Sequence, residues 1–396
     1  MASKSFRVPI PNARPQPAAR MYFIDNLRWS MMILVVSMHA ADTYSPLGNW
    51  YYTDRTPLST GSLIAFAAWQ MYLQSFFMGL LFFIAGYFAP ASLDRKGTRQ
   101  FISDRAFRLG LPVLFYMFVL GPIVEYFLAH SWTSTRPTSF LNEWIKHIRN
   151  GEFLQENGPL WFCLALLIFS IVYAGVARMK NDSPDCENGR RDPPGTGTLA
   201  VFALSIAIGT FIVRLVLPSG ASFLNMHLPD FPQYILLFTA GILTARRQWL
   251  FKFSFRTGIR WLLVILPVGF AAWLMIVVGG GALEGQGRAY SGGWHWQSAA
   301  MNAWESFTCI ALCFGLLVLF RERFNSQPRV AKFLSDNAFS VYVFHPVFVI
   351  AVARALHGIP WPPVIKFVLL TATAALLSLV ASAAVFRRIP VLHRIL

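Results

Sequence analysis

Long apolar stretches separated by short polar segments dominate the chain. The hydrocarbon core of a bilayer is about 30 Å thick, so a helix that crosses it needs roughly 20 mostly apolar residues. About ten stretches of that size follow one another along the sequence. They cover approximately residues 27–45, 62–88, 109–129, 159–177, 198–217, 231–245, 261–278, 298–320, 337–354 and 363–386. The pattern predicts an all-α fold, a polytopic membrane helix bundle with about ten transmembrane helices.

Composition supports a membrane protein and excludes several other classes. Hydrophobic residues make up 55% of the chain and charged residues only 13%, whereas soluble domains carry nearly twice that charged fraction. Disorder, a secreted disulfide scaffold and a coiled coil are excluded on the same grounds. The net charge of +16 would ordinarily suggest nucleic acid, but the basic residues lie between apolar stretches. We therefore expect membrane lipid around the chain and no nucleic-acid partner. The four cysteines have no metal-binding spacing, so no metal is expected.

The distribution of Lys and Arg predicts the topology and the domain organisation. Basic residues are concentrated in the N-terminal segment, in every second loop and at the C-terminus, which places both termini in the cytoplasm. Residues 1–22 are polar and contain several prolines, so we expect a flexible cytoplasmic tail and no signal peptide. Residues 179–197 are rich in Pro and Gly and predict a cytoplasmic linker between two halves. Residues 23–396 then form a single membrane domain.

Two polar residues share one face of the first predicted span. Arg28 and His39 lie eleven positions apart, close to three helical turns, with about 16 Å of axial rise between them. Asp42 follows His39 at the (i, i+3) spacing, where a carboxylate can hold the imidazole in one tautomer. A buried histidine between helices and an Arg28 that extends to lipid phosphates are the structural alternative. Because polar groups inside a membrane are costly, we favour a catalytic or proton-handling His39.

Other polar residues in or beside the spans are further candidates. Tyr342 and His345 lie one turn apart in the ninth span, and Pro346 locally opens the backbone there. Glu305 is a carboxylate inside the eighth span that either binds a sugar hydroxyl or pairs with an internal cation. Asp25 precedes the first span, where a helix cap and a binding role are equally favoured. The outer loops are rich in Trp and Tyr, which is typical of membrane interfaces and only weakly favours sugar stacking.

Arginines collect on the predicted cytoplasmic side of the second and third spans. Arg99, Arg105 and Arg108 precede the third span, and Arg105 and Arg108 are one helical turn apart. Two guanidinium groups on one face can bind phosphates bidentately, although anchors of this kind are also ordinary positive-inside residues. The pattern alone favours the ordinary anchor.

The motifs together resemble the membrane acyltransferase 3 family over nearly the whole chain. The sequence IDNLR at 24–28, followed by His39, is similar to the arginine and histidine pair in that family's first helix. The FFIAGYF segment is similar to its second-helix motif, with Ala85 where serine is common. Arg105 and Arg108 resemble its paired-arginine motif, and Leu160-Trp161-Phe162 and SDNAFSVYVFHP resemble its later signatures.

The resemblance implies an acyl-coenzyme A donor that binds from the cytoplasm and an acceptor hydroxyl on the far side of the membrane. The donor is expected to be succinyl-coenzyme A or acetyl-coenzyme A, and the acceptor a periplasmic glucan, in the bacterial inner membrane. Coenzyme A carries several phosphate groups, which need cationic side chains. The candidate donor-binding residues are Arg28, Arg99, Arg105 and Arg108, and the candidate substrate-binding residues are Asp25, Trp161 and Glu305.

The expected chemistry is O-acyl transfer with His39 as the general base. An imidazole can take a proton from a hydroxyl group near neutral pH, and Asp42 would orient it. His345 and Tyr342 are candidate donors to the developing oxyanion. Direct transfer and a covalent acyl-histidine intermediate both stay open. The alternative function is a proton-coupled transporter or flippase of a sugar or lipid, because buried His, Asp and Glu also mark proton pathways.

Overall fold

The computed structural model describes residues 20–48, 50–54, 56–129, 139–179 and 192–388. Within these ranges the regular structure is helical except for one two-stranded hairpin, Ser222–Phe223 paired with Met226–His227. The α-helices are α1 (Tyr22–Tyr44), α2 (Thr60–Arg105), α3 (Leu111–Phe115), α4 (Gly121–Ile123), α5 (Phe140–Arg149), α6 (Trp161–Met179), α7 (Thr196–Arg214), α8 (Phe231–Arg246), α9 (Phe255–Gly279), α10 (Arg288–Ser291), α11 (Trp296–Arg323), α12 (Arg329–Ala355) and α13 (Pro363–Ala384).

Seven helical segments of the described residues are long and apolar enough to cross a membrane. Fewer segments qualify than the ten predicted stretches, for three reasons. The second and third stretches join in one segment, Thr60–Ala129. Helix α8 has only 16 residues, and α1 carries several charged and polar side chains. All ten stretches are helical in the structure, which confirms an all-α polytopic membrane protein, while the number of crossings stays a prediction.

The outward faces of the helices are apolar, as lipid contact requires. In the candidate span Phe255–Glu284, only 11% of the most apolar 18-residue stretch is buried inside the protein. Leu263, Val264 and Met275 on this helix are all exposed. A soluble protein would bury such a helix, whereas a helix that is apolar on every side is stable at the bilayer.

A glycine at position 97 reverses the chain between the second and third predicted spans. Gly97 has φ 75° and ψ 164°, outside the helical region and inside the region that favours glycine. Before the break, Asp94 pairs with Arg246 at 2.7 Å. After it, the chain returns to the opposite end of the bundle, where the Ala129 carbonyl accepts a hydrogen bond from Arg354 at 2.6 Å.

The returning segment alternates π-helical and α-helical turns. The π-helical runs are Ala106–Gly110, Tyr116–Leu120 and Val124–Ala129. Pro112 and Pro122 each follow one of the first two runs and lack the amide hydrogen that a continuous α-helix would use. The prolines therefore account for the change of helix type.

Close packing of α2 against α8 fixes the centre of the bundle. A Cβ atom added to Gly86 would lie 2.1 Å from the Phe238 carbonyl oxygen, and one added to Gly241 would lie 2.2 Å from the Phe83 carbonyl oxygen. Small residues at these positions let the two backbones approach, which is how membrane helices commonly associate.

Contacts between helix ends define two ends of the bundle. We call the first the arginine end; it contains Arg28, Arg105 and Arg246. The second, the Asp54 end, contains Asp54 and Lys366, whose side chains pair at 3.2 Å. Helix α1 starts at the arginine end and α13 runs back to it, so the described chain begins and ends on the same side. The predicted tail and linker fall largely outside the described residues, and the cytoplasmic location of the termini stays a prediction.

Candidate active site

His39 and Asp42 meet on one face of α1, as their spacing predicts. The His39 Nδ1 atom lies 3.1 Å from the Asp42 Oδ2 atom, and Asp42 is buried. A carboxylate only accepts hydrogen bonds, so in a neutral His39 imidazole Nδ1 carries the hydrogen and Nε2 holds the lone pair. The imidazole is thereby set up to accept a proton at Nε2.

Gln70 on α2 completes the support of this pair. Its Nε2 atom donates to the Asp42 Oδ1 atom at 2.7 Å, so both carboxylate oxygens have a partner. Gln70 is 1% exposed, and its Oε1 atom has no hydrogen-bond partner among the described residues. The sequence analysis missed Gln70, although a glutamine inside an apolar span was a usable signal.

His345 on α12 lies beside His39, with ring centroids 5.3 Å apart and planes 12° apart. Its Nδ1 atom is 2.9 Å from the Tyr342 carbonyl oxygen. That carbonyl is the one a residue at position 346 would bond in a regular helix, but Pro346 has no amide hydrogen to offer. Because the carbonyl only accepts, His345 holds its hydrogen on Nδ1, and Nε2 is a buried lone pair without a described partner.

Tyr342 points its hydroxyl group to a backbone carbonyl. The hydroxyl donates to the Pro159 carbonyl oxygen, just before α6. Tyr342 and a neutral His345 therefore both have their hydrogens engaged in this structure. Of the two residues that the sequence suggested as oxyanion donors, His345 lies beside His39 and Tyr342 lies beside His345, with ring centroids 6.3 Å apart, and neither holds a free donor in this arrangement.

Trp50, from the loop between α1 and α2, covers the His39 ring. The two rings stack with centroids 3.8 Å apart and planes 14° apart. The loop is fixed by Asp54, whose amide donates to the Thr43 carbonyl oxygen at 2.7 Å and whose carboxylate pairs with buried Lys366. Burial disfavours the charge on Asp54, but hydrogen bonds from Thr56 and Lys366 outweigh it and lower the Asp54 pKa. The sequence analysis grouped Trp50 with the other outer-loop aromatic residues, as typical of an interface and only weakly favouring sugar stacking, and did not place it at His39.

The predicted donor-binding arginines collect at the arginine end. Arg28 and Arg105 are close enough to repel each other, and so are Arg105 and Arg108. The Arg28 side chain is 42% exposed and lies over the Phe88 ring at 5.0 Å. Arg99 is exposed in the short helical turn before Arg105.

Asp25 belongs to this arginine cluster and does not cap α1. Its carboxylate pairs with Arg20 at 2.7 Å and with Arg28 at 3.6 Å. No side chain caps the start of α1. Asp25 therefore lies about 21 Å along the helix axis from His39.

Glu305 pairs with an internal cation, one of the two predicted alternatives. Arg214 is 5% exposed and donates to Glu305, Asp230 and Asn302 at 2.7–2.8 Å. Gln74, one turn from Gln70 on α2, reaches Asp230 at 3.4 Å. The sequence analysis counted Arg214 within an apolar stretch and missed this network.

Trp161 is not among the rings around His39. Its ring contacts His227 at 5.4 Å, Tyr234 at 5.8 Å and Phe162 at 6.4 Å between centroids. Pro159, whose carbonyl oxygen accepts the Tyr342 hydrogen bond, precedes Trp161 by two positions. Of the eleven site candidates, the structure brings His39 together with Asp42 and His345, with Tyr342 beside His345. It brings Arg28, Arg105 and Arg108 together with Asp25 in a second group.

Comparisons with known proteins agree on one family. The family model described as an acyltransferase domain, acyltransferase 3, matches residues 21–383. The protein named "Glucans biosynthesis protein C" from Salmonella heidelberg (strain SL476) is 24% identical over 344 residues, covering 84% of this chain and 83% of that protein. Proteins of the same name from Escherichia coli O157:H7 (strain EC4115 / EHEC) and Shigella dysenteriae serotype 1 (strain Sd197) are 23% identical with the same coverage. No solved structure matches the chain.

Proposed function

Because the chain belongs to the acyltransferase 3 family of membrane acyltransferases, we propose that it moves a succinyl or acetyl group from acyl-coenzyme A to a hydroxyl group of a glucan. The donor binds at the arginine end, which faces the cytoplasm of a bacterium, and the glucan binds toward the Asp54 end. The observation that carries the proposal is the hydrogen-bonded series of a half-buried His39 with buried Asp42 and Gln70.

The reaction needs a base for the acceptor hydroxyl. His39 Nε2 takes the hydroxyl proton as the oxygen attacks the thioester carbonyl carbon, and Asp42 stabilises the imidazolium that forms. The tetrahedral intermediate collapses, the carbon–sulfur bond breaks, and the imidazolium returns the proton to the thiolate. The products are the ester and free coenzyme A, so no proton or electron is left over. A covalent acyl-histidine on His39 is the other route, and burst kinetics without acceptor would distinguish them.

The distance between the two groups suits the shape of the donor. Arg28 and His39 are separated by about 16 Å along α1. The side chains of α1 between them are uncharged, as the largely uncharged pantetheine arm requires. The phosphates of coenzyme A then meet Arg28, Arg105 and Arg108, with exposed Arg99 beside them.

The acceptor class rests on the relatives. Their name concerns glucan biosynthesis, and the present chain covers most of their length. At 23–24% identity the transfer of a glucan acceptor to this chain is part of the proposal. The succinyl or acetyl donor and the inner-membrane location are also proposals.

Removing one donor-binding arginine is expected to weaken donor binding with little effect on turnover. A charge-assisted hydrogen bond contributes about 1.5–3 kcal/mol, and about 1.4 kcal/mol is tenfold in affinity. Arg105→Ala or Arg108→Ala should therefore raise the KM for acyl-coenzyme A at least about tenfold, with kcat within about twofold. Exposed Arg288, near the Asp54 end, is the matched control, and Arg288→Ala should leave both constants unchanged. If the donor KM is unchanged in both Arg105→Ala and Arg108→Ala, the phosphates of coenzyme A do not bind at the arginine end.

The decisive experiment is a transfer assay with the purified protein. Detergent-solubilised protein is given radiolabelled acetyl-coenzyme A or succinyl-coenzyme A and a glucan, and the label in the glucan is measured. Labelled glucan is expected with at least one donor. The transporter alternative would be correct instead if no acylated glucan forms, if the protein moves glucan across the membrane of proteoliposomes, and if His39→Ala abolishes that movement.

A further inference from the structure

Trp50 holds a buried hydrogen-bond donor beside the proposed base. The indole Nε1 atom is shielded from solvent and has no hydrogen-bond partner in the described part of the chain. Nearly all buried polar groups in folded proteins are paired, because an unpaired donor loses its hydrogen bonds to water without replacement. An unpaired donor next to a reactive imidazole therefore suggests a partner on the substrate.

The chemistry of indole restricts what that partner can be. Indole N–H only donates, so its partner must be an acceptor atom. Two acceptors lie near His39 Nε2 during acyl transfer: the acyl oxygen and the hydroxyl oxygen that attacks it. Of these, the acyl oxygen gains a full negative charge, whereas the attacking oxygen loses its own electron density to the new bond. A fixed donor lowers the barrier most at the atom where charge develops.

We propose that the Trp50 indole N–H donates to the acyl oxygen and stabilises the oxyanion of the tetrahedral intermediate. This inference rests on the proposed acyl transfer and adds a residue that contacts the reacting atoms. As the hydroxyl oxygen bonds to the carbonyl carbon, the carbonyl π electrons move to the acyl oxygen, which accepts the Trp50 hydrogen bond. When the carbon–sulfur bond breaks, that electron pair reforms the carbonyl, and Trp50 itself is unchanged.

Because the Trp50 and His39 rings are stacked, the Trp50 N–H lies next to one face of the imidazole. A hydroxyl group that gives its proton to His39 Nε2 lies in the imidazole plane. The attacked carbonyl carbon can approach that hydroxyl oxygen from above or below the plane, which brings its oxygen into the layer next to the imidazole. The indole is almost parallel to the imidazole and 3.8 Å away, and its N–H lies in its own plane. The N–H therefore lies in a layer that the acyl oxygen can reach.

The neighbouring donors are already engaged. The Tyr342 hydroxyl donates to Pro159, and the His345 Nδ1 hydrogen goes to the Tyr342 carbonyl. Gln70 donates to Asp42, and Arg28 lies about 16 Å away along α1. Of the two aromatic rings stacked on His39 in the described residues, Trp50 and His345, Trp50 is the one with an unengaged donor.

The test separates the N–H group from the aromatic ring. Trp50 is replaced with 3-benzothienylalanine by amber suppression, which keeps the shape and the stacking face but substitutes sulfur for N–H. Trp50→Phe is the genetically simple companion, and Trp294→Phe is the control because Trp294 is 83% exposed. Removing one oxyanion donor is expected to lower kcat about 100-fold. The KM values for donor and glucan should stay within about twofold, and Trp294→Phe should behave as wild type.

Three results would each have a distinct meaning. If the benzothienyl protein keeps wild-type kcat, the N–H is not the oxyanion donor. If it raises mainly the glucan KM, Trp50 binds the acceptor and the inference is equally wrong. Both conclusions require that wild type transfers acyl groups and that His39→Gln does not. If wild type itself transfers nothing, the proposed function fails before Trp50 is tested. Unchanged thermal unfolding of the benzothienyl variant ensures that the lost turnover is chemical.

Discussion

Replacing His39 with glutamine is expected to reduce kcat for acyl transfer about 1,000-fold, within the range of about 10²–10⁴ that general-base catalysis contributes. Glutamine is close in size and can still hydrogen-bond to Asp42, but it cannot take up a proton. Because His39 lies three helical turns from Arg28, donor affinity should change little. Initial rates at saturating glucan and varied acyl-coenzyme A give kcat and the donor KM separately.

The matched control for this variant is His295→Gln, because His295 is exposed ahead of α11. It should transfer acyl groups at the wild-type rate. A His39→Gln protein that loses donor affinity and turnover by equal factors would show that the imidazole binds the donor uniformly and is not the base. A variant that retains wild-type kcat would exclude His39 from the chemistry.

Replacing Arg214 with methionine is expected to destabilise the folded protein by about 3–5 kcal/mol, the usual cost of breaking a buried ion pair by removing one partner. Arg214 is buried between Asp230 and Glu305, so its loss leaves two carboxylates without a counter-charge. The midpoint of thermal unfolding in detergent should fall clearly, and Arg288→Met should leave it unchanged.

The origin of that loss is tested by removing the carboxylates as well. The triple variant with Arg214→Met, Asp230→Asn and Glu305→Gln should recover much of the stability, because amides cost less to bury than charges. Equal destabilisation of the single and triple variants would mean that packing of the arginine stem matters and not charge. Glu305→Gln alone tests the alternative that Glu305 binds a sugar hydroxyl. If it does, this substitution should raise the glucan KM.

The helical segments could be predicted well because lipid imposes a simple requirement on the sequence. Each apolar stretch of about 20 residues had to be a helix, and all ten are helical. The continuous path through Thr60–Ala129 was not predicted. The basic residues after Phe88 look like an ordinary loop, and only the backbone conformation of Gly97 reveals that the turn is a break within a long helical segment.

The candidate site was predictable only where its residues lie on one helix. His39 and Asp42 are one turn apart, so helical geometry alone brings them together. Gln70 and Trp50 reach the same point from another helix and from a loop, and no local pattern encodes those distances. Arg214 was missed for the same reason, since Asp230 and Glu305 lie 16 and 91 positions away.

The motif at the end of the SDNAFSVYVFHP segment was understood in part. Pro346 does open the backbone, as the sequence suggested. The freed Tyr342 carbonyl, however, is taken by His345 itself, which fixes the His345 tautomer with a lone pair on Nε2. Whether each nitrogen of the His345 ring donates or accepts depends on its contact with the carbonyl of its own helix. That contact is known only once the position of the ring is known.

Acyl transfer from a donor held at the arginine end requires a passage through which its acyl group reaches His39. Cryo-electron microscopy of the protein with a non-transferable dethia analogue of acetyl-coenzyme A tests it directly. The phosphates are expected within hydrogen-bond distance of Arg105 and Arg108, and the acyl carbonyl carbon about 3–4 Å from where a hydroxyl bound to His39 Nε2 would lie. An analogue seated with its acyl group outside the bundle, or separated from His39 by packed side chains, would contradict it.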